Sequence, residues 1–187
     1  MIEIIEDNKE FNYKIYRSSV VLDNHAELIR SIKFGIQTFR EYFPEKAHDS
    51  TWAYYLYNTF TITSYTQGMY DLFGDVVSAI DDYTNKKRPL WFQCWINYHK
   101  PEEVLKWHGH EYPCHGYVCI DPKETHTVYD GYKIKNEIGN IYIGPGFRRH
   151  KVVVDHDYNL PRITLGFDIV NEPSNNPVKM NSFIPVL

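Results

Sequence analysis

The hydrophobic period of this chain changes once, near Pro89, and that change restricts what the chain can fold into. Before it, apolar residues recur at helical spacing. In DNHAELIRSIKFGIQTFREYF, Ala26, Ile29, Ile32, Ile36 and Phe39 share a face, Asn24 stands as N-cap with Glu27 as its capping-box partner, and Pro44 closes the helix. A second helical pattern places Met69, Leu72, Phe73, Val76, Val77 and Ile80 on one side before the turn-forming NKKRP. After Pro89 the helical period gives way to six short aromatic and β-branched runs: LWFQCWINYH, HGYVCID, THTVYDGYKIK, NIYIG, RHKVVVD and RITLGFDIV. Six runs in about 80 residues predict an antiparallel sandwich or barrel with the helices packed on one sheet. Residues 1–88 are expected to form a helical support region, 89–170 the β core, and 171–187 a proline-bearing tail lying over the surface.

A chain of 187 residues suits one domain with a sizeable core. The net charge of -4 supplies no basic surface for a phosphate backbone, so no nucleic-acid partner is expected. Cys94, Cys114 and Cys119 are odd in number and lack CxxC spacing, which argues against a disulfide framework or a zinc knuckle. A reducing, cytoplasmic setting is expected. The acidic start MIEIIEDNKEF has no secretory character, and no stretch approaches the ~20 apolar residues of a membrane span.

Chemistry concentrates in KWHGHEYPCH, which sets three histidines inside eight residues of a chain with nine. In extended backbone His108 and His110 point the same way, within reach of one ion, while Glu111 turns away. Downstream, GNIYIGPGFRRHKVVV turns at Gly139 and at Pro145-Gly146 and delivers His150 to the start of a new β run. LPRITLGFDIV then places Arg162 at the head of an apolar strand. That arginine is either a surface residue at a strand end or, directed inward, one that needs an anion. His115 is a candidate fourth ligand, which would suit zinc, nickel or manganese. His126 and His156 are read in strand-end or loop contexts, and His25 and His48 carry no assigned role. Trp91, Trp95, Trp107, Tyr112, Tyr117 and Tyr142 are read as core or as a pocket for a ring or peptide.

This arrangement resembles the 2-oxoglutarate- and iron(II)-dependent oxygenases, which carry a His-x-Asp/Glu pair, a distal His and a later Arg on a double-stranded β-helix. The resemblance covers roughly residues 91–170. It implies a jelly-roll, cupin-like barrel in which His108, His110 and His150 hold Fe(II), with His110 where the family has a carboxylate. It further implies that Arg162 pairs with the far carboxylate of 2-oxoglutarate, helped by Thr164 and by Asn97 of the WINY segment. Dioxygen and an unidentified small-molecule or peptide substrate complete the implied reaction. Three histidines are also the ligand set of cupin thiol dioxygenases, whose second motif GNIYIGPGFRRH resembles too. A barrel that binds a metal or small acid without catalysis is the remaining alternative.

Overall fold

The computed structural model describes residues 1–44, 56–86, 89–173 and 182–186. Each of the six β runs forms the expected strands: β3 (Leu90–His99), β4 (Cys114–Asp121), the hairpin β5 (Thr125–Tyr129) and β6 (Tyr132–Lys135), β7 (Asn140–Pro145), β8 (His150–Val154) and β9 (Arg162–Val170). Three further strands are present among the described residues. β1 (Ile2–Asn8) and β2 (Tyr13–Ser18) form an antiparallel pair at one side of the large sheet, and β10 (Phe183–Val186) lies at the other. The large sheet therefore runs β1-β2-β7-β4-β9-β3-β10, opposed by a small sheet β6-β5-β8. A single bridge between His108 and His150 extends the small sheet by one step.

Two expectations change here. Residues 1–88 are not purely helical, because β1 and β2 belong to the barrel's large sheet. β1 is an edge strand exposed along most of its length, so it lacks the half-buried alternation that marks a strand in sequence. The surface tail is corrected for Phe183–Val186: Phe183 and Val186 are buried, and the segment pairs with β3 from Phe183↔Gln93 to Val186↔Leu90. Pro185 is tolerated because β10 is an edge strand.

Four helices, α1 (Ser19–Asp23), α2 (His25–Tyr42), α3 (Thr59–Thr63) and α4 (Gln67–Thr84), cover the outer face of the large sheet. On α4, Met69, Leu72, Val76 and Ile80 are buried as their spacing predicts. On α2 the buried face is Leu28, Ile32, Ile36 and Phe39, while Ala26 is exposed. Asn24 makes no side-chain cap, and Glu27 instead accepts the Gly68 N–H at 3.0 Å, tying α2 to the start of α4. Expected loop residue His48 lies outside the described residues.

The central strands are buried on both faces, and every residue of β9 is buried, its polar members included. On β9, Ile163, Leu165, Phe167 and Ile169 join the helix-side core with Phe92, Cys94 and Ile96 of β3. The alternate residues face the small sheet, where Tyr13, Ile15, Tyr117, Cys119, Tyr129, Ile134 and Tyr142 form a second core. Among the described residues no helix is long and apolar enough to cross a membrane.

Candidate metal centre

Strand register stacks the inward-facing residues of β3, β9 and β4 in rows. Gln93, Asp168 and His115 form one row, then Trp95, Gly166 and Tyr117, then Asn97, Thr164 and Cys119, and finally His99 with Arg162. Cross-strand neighbours in such rows stand ~5 Å apart at Cβ. A Cβ on Gly166 would lie 2.6 Å from the Trp95 ring, so only glycine leaves that ring its place.

His108, His110 and His150 approach from the opposite side. The His108–His150 bridge is closed by two backbone hydrogen bonds of 2.9 and 2.8 Å, and His110 N–H donates to Gly146 O at 2.9 Å. The turn at Pro145-Gly146 therefore positions both ends of the histidine set. A Cβ on Gly146 would come within 2.0 Å of Tyr112 O, which explains why glycine occupies this turn.

Ring nitrogens decide whether these residues fit a metal ion. His108 Nδ1 lies 2.7 Å from Lys106 O, His150 Nδ1 lies 3.2 Å from Arg148 O, and His110 Nδ1 lies 2.9 Å from Asp168 Oδ1. With Nδ1 engaged by an acceptor in all three rings, Nε2 is the atom each ring has to offer. One nitrogen from each ring falls in a group whose members all lie within 4.8 Å of one another. Three nitrogens spaced evenly at ~2.1 Å around a common ion stand at most ~3.6 Å apart, so the rings would draw together by up to about 1 Å to close the set. His110 Nε2 is buried and has no hydrogen-bond partner among the described residues. Burial lowers the pKa of His108 and, with the neighbouring imidazoles, pushes His150 down to about 2. Both rings are neutral at pH 7, as a ligand must be. The donor set therefore fits a divalent ion that accepts nitrogen ligands, Fe(II) among them.

His115 stands in a second group with His110 and Asp168. Its ring stacks on His110 with centroids 3.7 Å apart, and its Nδ1 lies 3.3 Å from Asp168 Oδ1. Burial pushes its pKa down to about 4. Asp168 was not among the residues singled out from sequence. The available signal was parity: it shares with Arg162 and Thr164 the even-numbered face of a strand otherwise apolar. Burial works to raise the Asp168 pKa, and the hydrogen bonds from His110 and His115 overcome it, leaving the carboxyl below its ordinary range.

Arg162 points inward. Its side chain is buried, Nη1 donates to Thr164 Oγ1 at 3.2 Å, and Nε has no partner among the described residues. Asn97 Nδ2 donates to the same Thr164 hydroxyl at 3.3 Å, while its own Oδ1 is buried and unpaired. Burial lowers the Arg162 pKa, yet a guanidinium remains a cation, so a positive charge sits here without an acidic partner among the described residues. One cavity joins this cation to the histidines: Arg162, Thr164, Asn97, His108, His115 and His150 all line it. Trp95 and Tyr117 line it as well, whereas Tyr142 is buried in the second core. Trp107 is half-exposed beneath Lys151, and Tyr112 packs edge-on against Phe183. The cavity leaves room for the centre of a water molecule over about 30 Å³, enough for roughly two or three waters.

The remaining histidines lie elsewhere. His126 pairs with Asp155, His156 pairs with Glu124 at an exposed site, and His25 Nε2 meets Ile120 O at 2.9 Å.

No family model and no curated protein matches the chain. Solved structures do. The carbocyclase SnoK of nogalamycin biosynthesis, described as non-haem and α-ketoglutarate dependent, aligns over 87% of this chain and 84% of its own at 8% identity and a TM-score of 0.57. SnoN, an α-ketoglutarate-dependent epimerase of the same pathway, aligns over 88% and 80% at 10% identity and a TM-score of 0.54. The fold is a cupin-like jelly-roll barrel. A cupin-2 domain protein from Shewanella frigidimarina shares 16% identity over 43% of this chain and 71% of its own, at a TM-score of 0.32 that carries no weight. At such identities SnoK and SnoN speak to architecture alone, and the chemistry has to come from the side chains.

Proposed function

We propose that this chain is a non-haem iron oxygenase that uses 2-oxoglutarate as cosubstrate, with Fe(II) held by His108, His110 and His150. The observation that carries the reading is the cavity that joins two of these imidazoles, His108 and His150, to a buried arginine lacking any acidic partner among the described residues. A buried unpaired cation costs several kcal/mol, and a carboxylate delivered by a ligand offsets that cost. Likeness in fold to two enzymes described as α-ketoglutarate dependent is consistent with this reading.

Bound iron would supply the coupling of dioxygen to decarboxylation of the oxo-acid and oxidation of a C–H bond. The chain's own residues do the holding. Arg162 grips the far carboxylate through its planar fork. The Thr164 hydroxyl and the Asn97 carbonyl oxygen sit beside it to fix the ligand's orientation. Trp95 and Tyr117 wall the cavity.

A second reading is favoured by one observation, the absence of a carboxylate from the group of His108, His110 and His150: a thiol dioxygenase, with Arg162 holding the carboxylate of an amino-acid thiol. Anaerobic titration with Fe(II), then with 2-oxoglutarate or cysteine, separates the two. The expected result is stoichiometric Fe(II) binding, tight 2-oxoglutarate binding with a visible charge-transfer band, and slow succinate formation once oxygen is admitted. Oxygen uptake with cysteine and none stimulated by 2-oxoglutarate selects the alternative. Stoichiometric metal in His150→Ala overturns the ligand assignment, and metal binding without oxygen uptake on either acid leaves a binding module.

A further inference from the structure

An ion held by three neutral imidazoles keeps its full double charge in a buried site, which is costly unless an anion stands close by. The structure contains such an anion against one of the three rings. The Asp168 side chain is 4% exposed, and its Oδ1 lies 2.9 Å from His110 Nδ1 and 3.3 Å from His115 Nδ1. Among the described residues this carboxylate has no Lys or Arg partner; its neighbours are the two imidazoles.

The three rings are thus anchored unequally. His108 and His150 lean on the backbone carbonyls of Lys106 and Arg148, while His110 leans on a full negative charge. His110 is also the ring that takes the place of a carboxylate in the resembled ligand pattern. A carboxylate accepting the Nδ1–H pulls that proton toward itself, which makes Nε2 more basic and passes part of its charge through the ring. Rigid backbone fixes the geometry. Asp168 sits in the middle of the large sheet, paired across strands with Gln93 on one side and His115 on the other. His115 stacks face to face on His110 and braces the carboxylate from its second side.

We infer that Asp168 is a positioning residue of the metal centre: it holds His110 with Nε2 toward the ion and supplies through that ring the negative charge that the three-histidine set lacks. This rests on His108, His110 and His150 being the ligands. The carboxylate is displaced outward by one imidazole relative to a ligand set of two histidines and one carboxylate.

The test compares wild type with Asp168→Asn, which keeps an oxygen acceptor of the same shape and removes the charge. Fe(II) affinity is measured by competition with a chelator, and the Fe(III)/Fe(II) midpoint potential by spectroelectrochemistry on protein loaded with iron alone. The expected result is stoichiometric binding weakened 10- to 100-fold, with the midpoint shifted to more positive values. His115→Phe, which preserves the stacked ring, is expected to weaken binding far less. Unchanged affinity and potential in Asp168→Asn overturn the inference, and do so separately from the ligand assignment when His150→Ala still loses its metal. Loss of metal in Asp168→Asn and His115→Phe, with retention in His108→Ala and His150→Ala, overturns both by placing the ion on Asp168 itself. A readout that needs no variant is the ring tautomer of His110 in the metal-free protein by nitrogen-15 NMR. A proton on Nδ1 with a strongly downfield shift is expected, and a proton on Nε2 overturns the inference.

Discussion

Arg162 and Thr164 point to the same inner side of β9, and the guanidinium meets the hydroxyl at 3.2 Å while its Nε has no partner among the described residues. A cation in this state is a cost to the empty protein and an asset to the loaded one. Arg162→Met is therefore expected to weaken 2-oxoglutarate binding by about 1.5–3 kcal/mol, roughly 10- to 150-fold, with iron stoichiometry unchanged. The same variant is expected to raise the melting temperature of the metal-free protein, because it removes a buried unpaired charge. Calorimetric titration and a thermal melt check the two halves; a variant that binds the oxo-acid like wild type refutes the role.

Gly146 is bracketed by the histidine segment, its carbonyl taking the His110 N–H and its N–H donating to Pro113 O at 3.1 Å. Gly146→Ala is expected to push the 110–113 segment away from the 145–150 turn and to weaken metal binding at least tenfold, while the far end of the barrel keeps its packing. Competition with a metallochromic chelator reads the loss, and unaltered affinity shows that the turn has slack that the contact distances do not suggest.

His99 makes the metal-free protein sensitive to acid. Burial first, and the positive charge of Arg162 second, push its pKa down to about 3, against about 6.5 in an unfolded chain. A depressed histidine contributes stability that is complete above 6.5 and is lost as pH falls toward 3, since the unfolded chain binds a proton that the folded one refuses. His99→Leu is expected to flatten the fall in stability between pH 6 and pH 4 by up to about 1.4 kcal/mol per pH unit. Urea denaturation at a series of pH values measures the slope; His115 and His150 keep part of it in place.

Phe183 anchors the last described strand against β3, and Ser182 accepts from Gln93 Nε2 at 2.7 Å while its carbonyl accepts from Asn58. Phe183→Ala is expected to destabilise the fold by about 3–5 kcal/mol. A urea midpoint within error of wild type would mean that β10 is not part of the cooperative unit.

Much of this was legible in the chain itself, and for definite reasons. The strands of the six β runs showed because β-branched and aromatic residues fill segments bounded by Gly, Pro and Asp, and α4 showed because its buried face keeps a clean period. His108, His110 and His150 stood out because imidazoles are few and their spacing suits extended backbone. β1 escaped notice because an edge strand exposed on most positions carries no inward face to alternate with. β10 escaped because Pro185 argues against a strand unless the sheet edge is known. Asp168 escaped because its meaning depends on His110 and His115, and a carboxylate within an apolar run says nothing about which rings will meet it.

β9 carries Arg162 near one end and Asp168 near the other, six residues apart on one face, or roughly 20 Å of rigid backbone. A strand presents the same face only every second residue, so sliding this one past its neighbours would change the distance from Arg162 to His108 and His150 in jumps of up to nearly 7 Å. Lengthening an oxo-acid by one methylene changes it by only ~1.3 Å. On the proposed function, a longer or shorter diacid is accommodated by exchanging side chains at fixed stations, with lysine, glutamine or a smaller neighbour standing in at position 162, rather than by shifting the strand that carries them.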